Sequence, residues 1–169
     1  YWEFNPTSEN DLDMNIFSHI LVDSINESTI SDVGYDCFLS GGLDSSLITS
    51  LTKPSTCWTI GEPSINNEFY YSKLVANELC VKINQISYKH NDFLNIARYL
   101  IKEREDVLSV PNEVLIFLMS KEIKYTSTKV VLCGEGADEV FLGYDRIFKY
   151  FSEHRFDLKK FDELYSYSS

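Results

Sequence analysis

The chain has 169 residues, 44% of them hydrophobic, and a formal net charge of −11. That length can bury one sizeable core, so a single domain over residues 1–169 is expected. The acidic balance argues against a nucleic-acid partner, because it offers no basic stripe for a phosphate backbone. The acids are unevenly spread: residues 1–52 carry no Lys or Arg, which reads as a solvated face or, alternatively, as a docking surface for a basic partner. Cys37, Cys57, Cys80 and Cys133 lack paired metal-type spacing. They read as reduced core residues of an intracellular, cytoplasmic protein. No apolar stretch approaches the length of a membrane span, and no signal peptide is visible. Asn26-Glu27-Ser28 fits a glycosylation sequon that would be silent in that compartment. His19, His90 and His154 are dispersed and read as structural.

The predicted elements alternate. A helix near residues 9–28, with Leu12, Ile16 and Ile20 at helical spacing, forms a lead-in over about 1–32. Cys37, Phe38 and Leu39 predict a strand over about 35–40. A turn then opens a helix through Ile48 and Leu51, which Pro54 stops. Thr56 to Ile60 is a second strand, followed by a Gly61-Glu62-Pro63 turn and a helix over 67–80. Asn84 to Tyr88 is a third strand. Helices follow near 92–104 and 112–125, the latter capped by Asn112. Lys129 to Cys133 is a fourth strand, continuously apolar through Val130, Val131 and Leu132 as a strand covered on both faces should be. This alternation predicts an α/β core over about 33–150, an open parallel sheet with helices on both faces. Residues 151–169 read as a helical or frayed tail, Tyr165 to Ser169 as fraying. Tyr70 with Tyr71, and Phe141, Tyr144, Phe148 and Phe151, read as core stripes. Lys159 and Lys160 read as a solvated helix face.

The turn after the first strand, Leu39-Ser40-Gly41-Gly42-Leu43-Asp44-Ser45-Ser46, is an anion cradle by its chemistry. Gly41 and Gly42 permit positive φ and close approach, while Ser40, Ser45, Ser46 and the free N–H groups of the helix start aim donors at a ligand. Asp44 would repel a bare phosphate, so it points to a nucleotide carried with magnesium. The spacing is neither the Walker pattern nor Gly-x-Gly-x-x-Gly. Ligands of open parallel sheets bind beyond the carboxyl ends of strands. If strands one and four are neighbours, Asp138 joins Asp44 at one cation. Glu135 is then left for other work; standing alone, it would read as an acid stabilised at a helix N-terminus.

The octet resembles the pyrophosphate loop of the ATP-pyrophosphatase superfamily, and Ser40-Gly41-Gly42-Leu43-Asp44-Ser45-Ser46 is closest to the synthetase domain of asparagine synthetases. Cys133-Gly134-Glu135-Gly136-Ala137-Asp138-Glu139-Val140-Phe141-Leu142-Gly143-Tyr144 resembles that family's second signature, usually Ser-Gly-Glu-Gly-Ser/Ala-Asp-Glu-Leu/Val-Phe-Gly-Gly-Tyr. Trp58-Thr59-Ile60-Gly61 is similar to the family's strand ending at the adenine pocket, Asn67-Glu68 to the helix start after it, and Tyr1-Trp2 to the usual start of the domain.

The resemblance implies an adenine-nucleotide alpha-hydrolase-like fold and an ATP-dependent amide-forming ligase. Such an enzyme uses magnesium-bound ATP to adenylate a carboxylate such as aspartate, releasing pyrophosphate before ammonia or an amine displaces AMP. By the same resemblance, Ser40, Gly41, Gly42, Asp44, Ser45 and Ser46 hold the pyrophosphate. Leu39, Ile60, Cys133 and Gly134 contact the adenosine part, and Glu135 serves formation of the acyl-adenylate. Cys133 stands where the family has serine, tolerable if the contact runs through the backbone. An arginine that some members place before the helix after strand three is absent, with Pro111 near that position.

The resemblance covers the front half of the synthetase domain. The chain starts at Tyr1 without methionine and stops soon after Tyr144, so a fragment or processed product is expected, completed by a C-terminal synthetase segment or partner. No glutaminase domain is present, and ammonia would come from solution or another chain. A truncated, non-catalytic nucleotide-binding or regulatory module of the same fold is the alternative. An NAD-, GMP- or tRNA-modifying pyrophosphate-loop enzyme would explain the first motif but not the second.

Overall fold

A computed structural model of the protein describes residues 13–62, 68–141 and 143–165. The expected features at Tyr1-Trp2, Leu12, Pro63, Asn67, Leu142 and 166–169 lie outside them. The described elements begin with α1 (Met14–Glu27), β1 (Tyr35–Phe38), α2 (Leu43–Thr52), β2 (Thr56–Gly61), α3 (Glu68–Glu78) and β3 (Lys82–Ser87). There follow α4 (His90–Arg104), α5 (Asn112–Ile123), β4 (Val130–Leu132), α6 (Ala137–Phe141), α7 (Asp145–Glu153) and α8 (Leu158–Tyr165).

The strands form one parallel sheet in the order β3-β2-β1-β4. The two strands that precede the signature motifs are therefore neighbours, Cys37 pairing with Leu132. Alternate side chains feed two thin cores, as the period of two requires. On one face Cys37, Leu39 and Cys57 pack with Ala76 of α3, flanked by Ile48 of α2 and Leu132. On the other, Trp58 and Ile60 pack against Met119 and Ile123 of α5, with Phe38 and Val131 beside them. Helices thus cover both faces, α4 stacks on α5, and α1 lies over α2.

Buried polar groups lock the central strands. Asp36 is 5% exposed and its Oδ2 accepts bonds from Trp58 Nε1 and Thr128 Oγ1, both at 2.7 Å. One carboxylate therefore ties β1 to β2 and to the segment that enters β4. Thr52 Oγ1 bonds back to the Ile48 carbonyl at 2.8 Å and lies 3.5 Å from Cys37 Sγ. α2 ends at Thr52, before Pro54, because Lys53 adopts a left-handed φ of 46°.

Several local expectations are corrected. Asn112 is the first residue of α5, not its cap; Pro111 precedes it. Tyr70, Tyr71, Phe141 and Phe148 are exposed, so helical spacing marked amphipathic surfaces there rather than core. Cys37 and Cys57 are buried, but Cys80 and Cys133 are exposed, Cys80 in a left-handed turn beyond α3 and Cys133 just beyond β4. Tyr165 closes α8 instead of fraying. Lys160 is half-buried, ion-paired with Glu163 and placed over the Tyr150 ring, so only Lys159 is fully solvated. Among the described residues no helix is long and apolar enough to cross a membrane.

Candidate active site

At the carboxyl ends of the strands opens a cleft of about 310 Å³. Its floor is the turn between β1 and α2. Gly42 caps α2 in an extended conformation without a side-chain bond, leaving the first N–H groups of the helix unclaimed by a cap. Ser40 Oγ accepts from Gly42 N–H at 3.2 Å and lies 3.0 Å from Ser45 Oγ, so the two hydroxyls are held together at the turn. Ser40, Gly42, Asp44 and Ser45 all line the cleft.

Gly41 and Ser46 are set behind this lining. Gly41 has φ +90°, and a Cβ there would stand 2.6 Å from the Tyr71 and Ser72 backbone. Only glycine lets the turn nest against α3. Ser46 Oγ is buried and has no hydrogen-bond partner among the described residues. An orphaned hydroxyl at this point is one that a ligand or water must satisfy.

The second signature forms the facing wall. A Cβ on Gly134 would lie 3.0 Å from Asp44 Cβ and 3.2 Å from Ser45 N, so the turn after β4 rests directly on the first turn of α2. The two motifs, far apart in the chain, thereby meet at one cleft. Cys133, Gly134, Glu135 and Asp138 line the cleft, as do Leu39 and Ile60 from the strand ends.

The charges in this wall are crowded. Burial, then repulsion from Asp44, then repulsion from Glu139 hold the Asp138 carboxyl above the ordinary aspartate range. Acids gathered in this way suit a hard divalent cation, which Mg²⁺ sites commonly hold with one or two carboxylates plus phosphate oxygens. Among the described residues no group of three or more metal-type side chains forms a complete cage. Glu139 is engaged otherwise: its Oε1 accepts from Tyr144 Oη at 2.6 Å and Tyr165 Oη at 3.3 Å, which holds its carboxyl below the usual range.

Glu135 Oε1 accepts from Asn112 Nδ2 at 2.9 Å. Trp58, Glu68, Glu139 and Tyr144, all within segments matched to the family, also line the cleft, and so does Asn112, which had been read only as a helix cap. The Pro111-Asn112 pair was the only local signal, and it pointed to a helix start. Leu115, Ile116 and Met119 make an apolar side to the same cleft.

The asparagine synthase family model matches residues 17–166. The chain belongs to the asparagine synthase family. It is 32% identical over 164 residues to the glutamine-hydrolysing asparagine synthetase B of Escherichia coli, covering 85% of this chain and 29% of that protein. A probable glutamine-hydrolysing asparagine synthetase of Schizosaccharomyces pombe is 28% identical over 169 residues, covering 85% of this chain and 30% of the relative. The chain thus spans less than a third of the length of these asparagine synthetases. An ammonia-dependent NAD synthetase from Campylobacter jejuni, solved with a nitrate ion, superposes with a TM-score of 0.52 at 20% identity, over 79% of this chain and 61% of that one. The sheet and its surrounding helices accordingly share the fold of that NAD synthetase.

Proposed function

We propose that residues 1–169 form one nucleotide-binding, adenylating unit of an ATP-dependent amide-forming ligase of the asparagine synthetase type. The observation that carries this reading is the direct packing of Gly134 onto Asp44 and Ser45, which brings the two signatures to one cleft. Ser40, Gly41, Gly42, Asp44, Ser45 and Ser46 would receive the pyrophosphate portion of ATP. Ser40 and Ser45 supply hydroxyl donors, and the start of α2 supplies N–H groups. Leu39, Ile60, Cys133 and Gly134 would bound the adenosine.

Asp44 and Asp138 are the residues that would hold magnesium, whose charge would screen the polyphosphate from an attacking anion. A substrate carboxylate oxygen bonds to the α-phosphorus as the bond to the pyrophosphate oxygen breaks. Ammonia or an amine then bonds to the acyl carbon, AMP leaves with the C–O bonding pair, and the nitrogen loses a proton. The protein's contribution to the first step is to fix donors around the leaving pyrophosphate in advance, so that they need not reorganise in the transition state. Glu135, which lines the same cleft, would orient the acyl substrate. Aspartate is the carboxylate that the family resemblance favours. Ammonia would come from solution, a glutaminase or another segment, since the curated relatives are glutamine-hydrolysing. An ATP-using enzyme with four unbridged cysteines suits the cytoplasm.

The test is magnesium-dependent exchange of labelled pyrophosphate into ATP with aspartate present, supplemented by a C-terminal synthetase segment. Glu135→Gln should lose exchange while ATP still binds. ATP binding without exchange in the unmodified protein, even with that segment supplied, would refute the ligase reading and leave a binding module.

A further inference from the structure

Asn112 is presented to the cleft by two separate devices. The first is Pro111, whose φ of −58° sets the entry into α5 by covalent geometry, since no side chain caps this helix. The second lies one residue further on. Glu113 Oε1 accepts from Ser109 N–H at 2.8 Å and Val110 N–H at 3.3 Å, while Oε2 meets the Arg104 guanidinium at the end of α4. One carboxylate thus pins the end of the connection between α4 and α5. The Arg104 bond, followed by the Ser109 N–H, holds the Glu113 carboxyl below its usual range, so the clamp stays charged at neutral pH.

What the clamp delivers is a single side chain. Asn112 Nδ2 donates to Glu135 Oε1 at 2.9 Å across the cleft, joining two residues 23 positions apart. Neither residue is buried, so the bond is not there to satisfy a hidden polar group. α5 is anchored without it, through Val114, Met119 and Ile123. Only the amide NH2 can donate to a carboxylate, so the partner fixes the amide's orientation.

We propose that Asn112 is a positioning residue for Glu135, resting on the role given to Glu135 above. By holding Oε1, it fixes the direction from which the glutamate addresses the acyl group. The donor is neutral, so it orients the carboxylate without cancelling its charge.

The experiment measures kcat and KM for MgATP in the aspartate-dependent pyrophosphate exchange, together with thermal midpoints. Asn112→Ala should lower kcat about tenfold to a hundredfold, the range expected when a reacting group is misplaced by about 1 Å. KM for MgATP should stay within about twofold, and the midpoint should hold. Asn112→Asp keeps the shape but replaces the donor with a like charge, and should fall further than Asn112→Ala. Asn112→Gln, which keeps the donor on a longer arm, should recover part of the rate. A wild-type kcat in Asn112→Ala, an effect confined to KM, or equal losses in the Asp and Gln variants would each overturn the positioning role. Glu135→Gln keeps the two failures apart. If it loses exchange while Asn112→Ala keeps full activity, only the positioning role fails; if it exchanges at the normal rate, the role of Glu135 fails and that of Asn112 with it.

Discussion

Replacing Gly134 by alanine isolates the contact between the two signatures. The added Cβ would stand 3.0 Å from Asp44 Cβ, 3.2 Å from Ser45 N and 3.3 Å from Asp44 C. Comfortable carbon–carbon contact begins near 3.5 Å, so the shortfall is about half an ångström. The neighbours are mostly backbone of the first turn of α2, which cannot rotate away. The wall must shift, at about 1–3 kcal/mol for overpacking of this kind. Gly136→Ala is the control. Its φ of +93° makes a side chain strained, at about 1–2 kcal/mol, yet nothing lies within 4 Å of the new Cβ. The two variants should therefore lose similar stability in urea melts. ATP affinity, measured by calorimetry with magnesium, should fall about tenfold or more in Gly134→Ala, the equivalent of about 1.4 kcal/mol. Gly136 also lines the cleft, but its new Cβ displaces no part of the wall, so affinity should fall clearly less in Gly136→Ala. Unchanged affinity in Gly134→Ala, or equal losses in both, would refute the inference that this contact shapes the anion loop.

Two further outcomes follow from buried groups. Burial first, then the charge of Cys37, push the Cys57 thiol up to about 12, and burial likewise raises Cys37. At pH 8 only about one Cys57 in ten thousand is thiolate, and it is also inaccessible. Alkylation at that pH should label Cys80 and Cys133 quickly and the other two only on unfolding, with MgATP protecting Cys133, which lines the cleft, but not Cys80. Rapid labelling of all four, or equal protection of Cys80, would contradict the assignment. Asp36→Ala should cost about 2–4 kcal/mol in denaturant unfolding, because the Trp58 indole and the Thr128 hydroxyl both lose their acceptor. Asp36→Asn keeps an oxygen there and should lose clearly less; equal losses would show that charge, not hydrogen bonding, holds the strands.

The parts of this protein that were legible in its sequence are those fixed by short-range chemistry. All four strands of the sheet were placed to within one or two residues, the first and fourth as apolar runs. The glycine-serine turn was legible because phosphate cradles need small residues and donors at consecutive positions. The neighbouring of β1 and β4, the condition on which a shared cation site depended, is met in the register Cys37 to Leu132. What sequence could not show were contacts whose partners are distant. Asn112 looked like a cap because its local pattern is that of a helix start, and nothing near it in the chain names Glu135 as its target. Gly41 could be assigned a positive φ from its turn, but not the Tyr71–Ser72 backbone against which it nests. Helical periodicity also misled at Tyr70, Tyr71 and Phe148, because a period of 3.6 identifies a face and does not say what covers it. The same limit explains Cys133. Strand alternation buries Cys37 and Cys57 between helices, whereas Cys133 lies just past the last paired residue of β4, where the backbone has already left the sheet for the cleft.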